Sequence, residues 1–418
     1  MNGTIVHENL RLGMQSDKLR MLSLNCWGIP FLTKACSFRI SAIADELSKG
    51  LYDVVALQEI WTEYQYAEIK KKVAKVLPYS HYFYSGVIGT GICVFSKFPI
   101  SDAALHQFPI NGDYYAIHYG DWLAGSALCC CYIHHIPTNN ILHFFAVHLH
   151  ADYPGNLYTE LRTLQAYQCA QFVQKITRPG DSVILCGDFN HEETEIGVRA
   201  LKSVTGLQDA WHSALKKLDR QCFTINSPDN PYIHANETEK RIDFIFHSNG
   251  LQCIDYGIDL EGIPGSKHHF SDHKGVRSTF IFTDSSKTGA ESKFDKTSPE
   301  SSIKILQELR DTIAYGRKLA EEYKWNWIIP IWILLLVFIF MPVFSEDGIY
   351  FLLPVLSKLS GEIVFLLQIV CIVLSVSYFW NLVILKRIEK NAYFNAMNEI
   401  QLKIEMLKDV KNFGKPAL

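Results

Sequence analysis

The chain has no surplus of charge of either sign: its 418 residues carry 40 lysines and arginines against 43 aspartates and glutamates, a formal charge of −3. A protein that holds a polyanion by bulk electrostatics needs a cationic excess, so nucleic acid is not expected as a partner. Cysteine occurs eleven times, an odd number, and nowhere at the paired spacing of a zinc site or a disulfide framework. Cys129, Cys130 and Cys131 sit together in an apolar run, which points to buried free thiols in a reducing compartment. The N-terminus, MNGTIVHENLRLGMQSDKLR, lacks the apolar stretch of a signal peptide. The first domain is therefore expected in the cytosol, and the sequons at Asn2 and Asn236 are expected to be accidental.

What is present is an alternation of strand-length apolar runs with helical segments. Residues 19–27, 53–60, 91–100, 128–136, 141–150, 182–190 and 241–248 are rich in β-branched or aromatic residues and are bounded by turn formers. Residues 38–50 and 159–176 place apolar side chains at helical spacing. Interleaving of this kind predicts an α/β class, with sheets buried between helices, over residues 1–283.

Residues 284–302 are small and charged, and read as a flexible linker. Residues 303–324 read as a juxtamembrane helix, and 325–344 and 363–385 as two apolar runs. About twenty helical residues cross the roughly 30 Å hydrocarbon core, so each run is long enough to span it. Lysines and an arginine flank the outer ends (Lys318, Lys324, Lys386, Arg387, Lys390), whereas the 345–362 loop is acidic. By the positive-inside tendency the runs form a multi-pass hairpin with both ends cytosolic, on the endoplasmic reticulum or another endomembrane. Residues 386–418 form an amphipathic tail that, with the Leu366–Leu382 face, offers a surface for homo-oligomers.

Polar residues stand at the ends of the expected strands: Asn25, Glu59, His148, His150, Asp188, Asn190, and Asp272 with His273 in the loop FSDHKG. In an extended chain Asp188 and Asn190 share a face, as a metal or phosphate site requires. Asp243, between Arg241 and Phe244 in an apolar strand, is a buried carboxylate that needs a partner. Together they suit hydrolysis of a phosphodiester, which needs a hard cation, a base for water and an acid for the leaving alkoxide. Oxygen ligands favour Mg²⁺ over zinc, and His273 and His148 titrate naturally near neutrality.

The ordered motifs LSLNCWG, ALQEIW, SGVIGTGICVFSKFPI, HLHADY, CGDFN, RIDFIF and SDH, over roughly residues 19–282, resemble the Mg²⁺-dependent endonuclease/exonuclease/phosphatase superfamily. They look most like its neutral sphingomyelinase branch, of the small eukaryotic type with two C-terminal membrane spans. The resemblance implies a four-layer α/β/β/α sandwich (DNase I-like) with its site at one end of two packed sheets. It implies Glu59 as principal metal ligand, with Asn25 and Asp272 beside it, and Mg²⁺, or Mn²⁺ in its place, as cofactor. It also implies that Asn190 orients phosphate, Asp188 positions or deprotonates water, and His273 and His148 act as acid and base in an order left open. Asp243 is expected to orient one of the imidazoles, and His148 is preferred to His150.

The substrate implied is sphingomyelin, cleaved to ceramide and phosphocholine, with lyso-phosphocholine lipids as the competing reading. A nuclease is disfavoured by net acidity. An inositol-phosphate phosphatase is disfavoured because His191 follows GDFN where that branch usually has arginine. A catalytically dead membrane scaffold is disfavoured because every expected polar position is filled. The aromatic segment 111–125, with Tyr114, Tyr115, Tyr119 and Trp122, suits a water–membrane boundary.

Overall fold

A computed structural model describes residues 17–116, 119–155, 157–216, 222–233, 237–283, 298–322, 324–340 and 361–413. The sequons, residues 284–297 of the expected linker, residues 341–344 of the first apolar run and most of the 345–362 loop lie outside the described residues.

In chain order the strands are β1 (Lys18–Asn25), β2 (Val54–Gln58), β3 (Tyr79–Tyr82), β4 (Cys93–Ser96), β5 (Ile100–Gln107), β6 (Ala127–His135), β7 (Asn140–His148), β8 (Ser182–Asp188), β9 (Gln208–Asp209), β10 (Asp243–His247), β11 (Leu251–Asp259) and β12 (Gly275–Phe282). They form two six-stranded mixed sheets, ordered β11-β12-β1-β2-β4-β3 and β5-β6-β7-β8-β10-β9. Each sheet has one central parallel pair, β1 with β2 and β7 with β8, and the remaining pairings are antiparallel.

The two-residue strand period sorts side chains into three apolar layers. On β1, Leu19 and Met21 join the core between the sheets, where they meet Phe144, Ala146, Ile184 and Cys186 from the second sheet. Leu22 and Leu24, on the other face, pack under α1 (Cys36–Leu47) and α2 (Glu63–Val73). The outer face of the second sheet, with Phe145, Val147 and Leu185, is covered by α3 (Thr159–Ile176) and α4 (Ile196–Thr205). This is the expected four-layer α/β/β/α sandwich. All eleven cysteines are free, and all but Cys36 are buried; Cys129 and Cys131 face the inner core while Cys130 faces the outer layer.

By the same parity Asn25, His148, Asp188 and Asp243 continue inward-facing rows beyond the last apolar residue. Registration aligns them: His148 pairs with Asp188, and Asp188 with Asp243. The neighbouring Gly187 is fixed by close packing, because a Cβ there would stand 1.9 Å from the Val147 carbonyl oxygen, at a φ of +137°.

The expected strand run 91–100 divides into β4 and β5 around Pro99, which cannot donate to a ladder. β3, β5, β9, β11, β12, α2 and α4 were not anticipated. β5 (ISDAALHQ) is half exposed and poor in β-branched residues, whereas α2 has a legible start, since Thr62 and Gln65 form a reciprocal capping box.

The C-terminal helices α5 (Pro299–Glu322), α6 (Lys324–Phe340), α7 (Gly361–Trp380) and α8 (Lys386–Phe413) follow, with a π-helical segment, Asn381–Leu385, joining α7 to α8 without a break. α5 begins inside the stretch expected as linker, because the Ser298 hydroxyl accepts from the Ser301 amide ahead of Pro299. The compact unit Arg310–Met406 contains α6 packed on α7, with apolar side chains turned outward, as at Trp332 and Phe365, 63% and 61% exposed. In it Arg317 lies over the Phe394 ring and Lys390 pairs with Glu321. Among the described residues one helix, Phe365–Asp409, is long and apolar enough to cross a membrane; the first apolar run is helical over a shorter apolar stretch, Ile328–Phe340.

Gly187→Ala is expected to destabilise the fold by at least about 3 kcal/mol, since the β7–β8 pairing must open to admit the methyl group. A thermal melt within a degree of wild type would show that the close approach is not rigid.

Candidate active site

Inward-facing strand ends from the two sheets meet at one edge. Asn25 closes β1, and its Nδ2 donates to Glu59 Oε1 at 2.9 Å and to Asp188 Oδ2 at 3.0 Å. The orientation of the amide is set by the Trp27 backbone N–H, which donates to Asn25 Oδ1 at 3.0 Å. Asn25 thus presents its NH₂ group, not its oxygen, to the carboxylates.

Glu59 follows β2, where strand parity alone would turn it outward. A left-handed φ of +58° breaks the alternation and brings its carboxylate back to Asn25. Burial pushes the Glu59 pKa up, and Asp272 adds to the rise while His148, Asn25 and His273 oppose it. Trp27 and Asn190 also sit at positive φ, +47° and +49°. Three non-glycine residues in this region cluster here, as expected where backbone strain serves a site.

Asp188 is the centre of the cluster. Its Oδ2 lies 3.6 Å from His148 Nε2 and 3.7 Å from His273 Nε2, and its Oδ1 accepts from the Asn190 amide at 2.9 Å. The expectation that Asp188 and Asn190 share a strand face is not met, because β8 ends at Asp188 and the chain turns at Asn190. Asn190 instead donates from Nδ2 to the Leu149 carbonyl at 2.9 Å, which ties the loop after β8 to the loop after β7.

His273 Nδ1 donates to Asp243 Oδ2 at 2.9 Å, which leaves Nε2 turned to Asp188. Burial alone would lower the His273 pKa, but Asp243, Asp188 and Asp272 outweigh it and push it well above the usual value. Desolvation raises the Asp243 and Asp272 pKa values. Asp272 is partly buried and accepts from the Ser271 hydroxyl at 3.0 Å. His150 is directed elsewhere: its Nδ1 donates to the Ala151 carbonyl, its ring packs on Tyr153 and Tyr158, and burial lowers its pKa.

The donor set fits a hard divalent cation. Four carboxylates converge with two imidazoles in a partly desolvated edge, and oxygen-rich ligation of this kind suits a hard cation. Among the described residues the metal-capable group in this region is Asp188, Asp243 and His273, whose ligand atoms lie within 4.8 Å of one another. That group differs from the expected Glu59, Asn25 and Asp272.

Several supporting residues were missed. Arg39, fully buried on α1, donates to the carbonyls of Cys26, Trp27, Lys34 and Phe270, and stacks over Trp27 at 4.9 Å. It joins the loop after Asn25 to the chain leading into Asp272 and His273. Asn230 donates to the Ser271 and Asp272 carbonyls, and the Thr224 hydroxyl accepts from the Ile242 and Asp243 amides. An arginine on the apolar stripe of residues 38–50 was the legible signal; Asn230 and Thr224 had none, since their partners are remote in sequence.

The fold and this edge define a class. Residues 22–273 match the endonuclease/exonuclease/phosphatase family, and the chain belongs to it. It is 32% identical to human sphingomyelin phosphodiesterase 2 over 277 residues, covering 64% of this chain and 65%, just under two thirds, of that protein. It is 36% identical to the inositol phosphosphingolipids phospholipase C of Schizosaccharomyces pombe over 289 residues, covering 63% of this chain and 68% of that one. A solved structure of a Staphylococcus aureus beta toxin variant with bound magnesium ions shares the fold, with a TM-score of 0.52 and 16% identity, over 64% of this chain and all of that one.

Two outcomes follow. Arg39→Met is expected to lower stability by about 3 kcal/mol or more, because buried carbonyls lose a cationic donor; an unchanged denaturant midpoint would contradict this. His191, fully buried, donates from Nδ1 to the Phe189 carbonyl at 2.7 Å, and burial pushes its pKa down to about 3. The unfolded chain takes up this proton near pH 6.5 and the folded chain does not, so stability falls as pH drops from about 6.5 towards 3, by about 2 kcal/mol at pH 5. His191→Gln is expected to flatten the loss between pH 7 and 5 in chemical denaturation; a slope equal to wild type would overturn the assignment.

Proposed function

We propose that the chain is a phospholipase C of phosphosphingolipids that cleaves sphingomyelin to ceramide and phosphocholine, with Mg²⁺ as cofactor and an endomembrane as its workplace. The observation that carries the reading is the carboxylate of Asp188 held between the Nε2 atoms of two imidazoles, His148 and His273, one of them fixed by Asp243. Hydrolysis of a phosphodiester needs one group to take a proton from water and another to return one to the leaving alkoxide. Two imidazoles flanking one carboxylate supply both. Asp243 selects the His273 tautomer whose Nε2 faces the reacting edge.

Glu59, Asp188, Asp243 and Asp272 are the groups that would hold the cation, which when bound would neutralise phosphoryl oxygens. Asn25 keeps Glu59 and Asp188 apart yet adjacent, and Asn190, tied to Asp188 through its backbone amide, is assigned to orienting a phosphate oxygen. The names of the human and fission-yeast relatives support a sphingolipid substrate. The second of them keeps an inositol head group as a competing reading, beside lyso-phosphocholine lipids. The outward apolar faces of α6 and α7 support membrane attachment, as a hairpin with both ends cytosolic.

The test is head-group release from sphingomyelin, a lyso-phosphocholine lipid and an inositol phosphosphingolipid in mixed micelles, with Mg²⁺ or with chelator. Release from sphingomyelin is expected to need the metal and to fall about 10²–10⁴-fold in His273→Ala. Asp243→Asn removes the carboxylate that raises the His273 pKa, so the ionisation of the rate belonging to His273 is expected to move to lower pH. No release from any of the three lipids by folded protein would sink the reading.

A further inference from the structure

We propose that two apolar loop tips, Phe31 with Leu32 and Val87 with Ile88 beside Trp122, insert into a lipid bilayer on either side of the catalytic edge. The inference rests on the phospholipase reading and names the surface through which the site meets its lipid.

Register places both tips at the active end. The loop carrying Phe31 and Leu32 follows Asn25 directly. Leu57, next to the end of β2, pairs with Cys93, so the β3–β4 connection holding Val87 and Ile88 emerges beside Glu59. Leu128 at the start of β6 pairs with Val147, so the loop holding Trp122 emerges beside His148. In sheet order β2 lies between β1 and β4, which sets Glu59 between the two tips.

Their exposure is what a soluble surface avoids. Phe31 and Leu32 are 104% and 81% exposed, and Val87 and Ile88 71% and 45%. Single exposed apolar residues are ordinary, but adjacent pairs at loop apices around one edge mark an interaction surface. The second tip is also stiff. The amides of Val87 and Ile88 donate to the Leu123 carbonyl at 3.0 and 3.2 Å. Beneath them Gly86 and Gly125 approach so closely that a Cβ on either would fall within 2.8 Å of the other's backbone. A crevice of about 430 Å³ between these loops is lined by Val87, Phe108, Pro109 and Trp122. A tip held rigid by another loop, with its apolar side chains facing out, loses little freedom on entering lipid.

The occupant is a bilayer because the substrate of the reading is one of its components. Trp122, 39% exposed beside these chains, belongs to the residue type that settles at a water–lipid boundary. Tyr119 of the same loop is stacked on Tyr153, so in this proposal the expected aromatic boundary is carried by Trp122 with the apolar tips and not by all the tyrosines.

The experiment compares the full chain with the double variants Phe31→Ser/Leu32→Ser and Val87→Ser/Ile88→Ser on sphingomyelin vesicles and on a short-chain sphingomyelin below its micellar concentration. Each pair is expected to lower vesicle hydrolysis by roughly tenfold or more while the short-chain rate stays within about twofold of wild type. Equal loss on both substrates would assign the residues to the fold, and no loss on either would remove the proposal. A second measurement is independent of turnover: Phe31→Trp protein is mixed with vesicles containing bromine-labelled acyl chains. Quenching beyond that of wild type is expected, and its absence overturns insertion. If wild type hydrolyses neither substrate, the phospholipase reading fails, and the quenching still decides whether the tip enters lipid.

Discussion

One carboxamide joins the two sheets at their reactive edge. Glu59 belongs to the first sheet and Asp188 to the second, and both are acidic groups drawn out of water, so proximity alone would drive them apart. The Asn25 amide gives each a hydrogen bond, and the Trp27 N–H fixes which end of the amide they see. The spacing that makes this bridge possible comes from the inner apolar layer, in which Met21 of one sheet and Ile184 and Cys186 of the other share one core. Arg39 braces the same edge, gathering the carbonyls of Cys26, Trp27 and Lys34 after β1 and of Phe270 before β12 with a single cation. A site made of repelling carboxylates is thus held together by donors, and such a set of oxygens fits a hard cation.

The second sheet contributes a row where the first contributes a bridge. His148, Asp188 and Asp243 are set side by side by parallel and antiparallel pairing, and Gly187 lets the strands close to the distance at which the row becomes a cluster. His273 arrives from the loop before β12 and completes it through Asp243. Because each component sits on a different strand or loop, the cluster has no local sequence signature beyond polar residues at the ends of apolar runs.

Much of this was legible for a physical reason. Apolar runs of strand length and the helical spacing of residues 159–176 are local properties, and the observed α3 has those bounds. Parity within a strand is local too, so the inward placement of Asp188 and Asp243 was accessible, whereas His148 and His150 share a parity and only the family resemblance preferred the first. Parity failed where the backbone left the strand region. Glu59 and Asn190 take left-handed conformations; asparagine tolerates one, but no propensity assigns it to a glutamate, where surrounding structure enforces it. Exposed or edge elements such as β5 carried too weak a pattern, and the start of α5 was hidden by the charged composition of the segment before it.

By itself the sequence determined the α/β class, the inventory of polar strand ends, the free cysteines and the two apolar C-terminal runs, because each follows from composition and short-range period. Tertiary structure alone decided which of those polar groups meet: that Asn25 turns its nitrogen to the carboxylates, that Asp243 and not another acid holds His273, that His150 packs among tyrosines, and that Arg39, Asn230 and Thr224 brace the edge. Those choices depend on strand register and on contacts between residues far apart in sequence, such as Arg39 with Phe270, 231 positions away, and a one-dimensional pattern carries no record of such contacts.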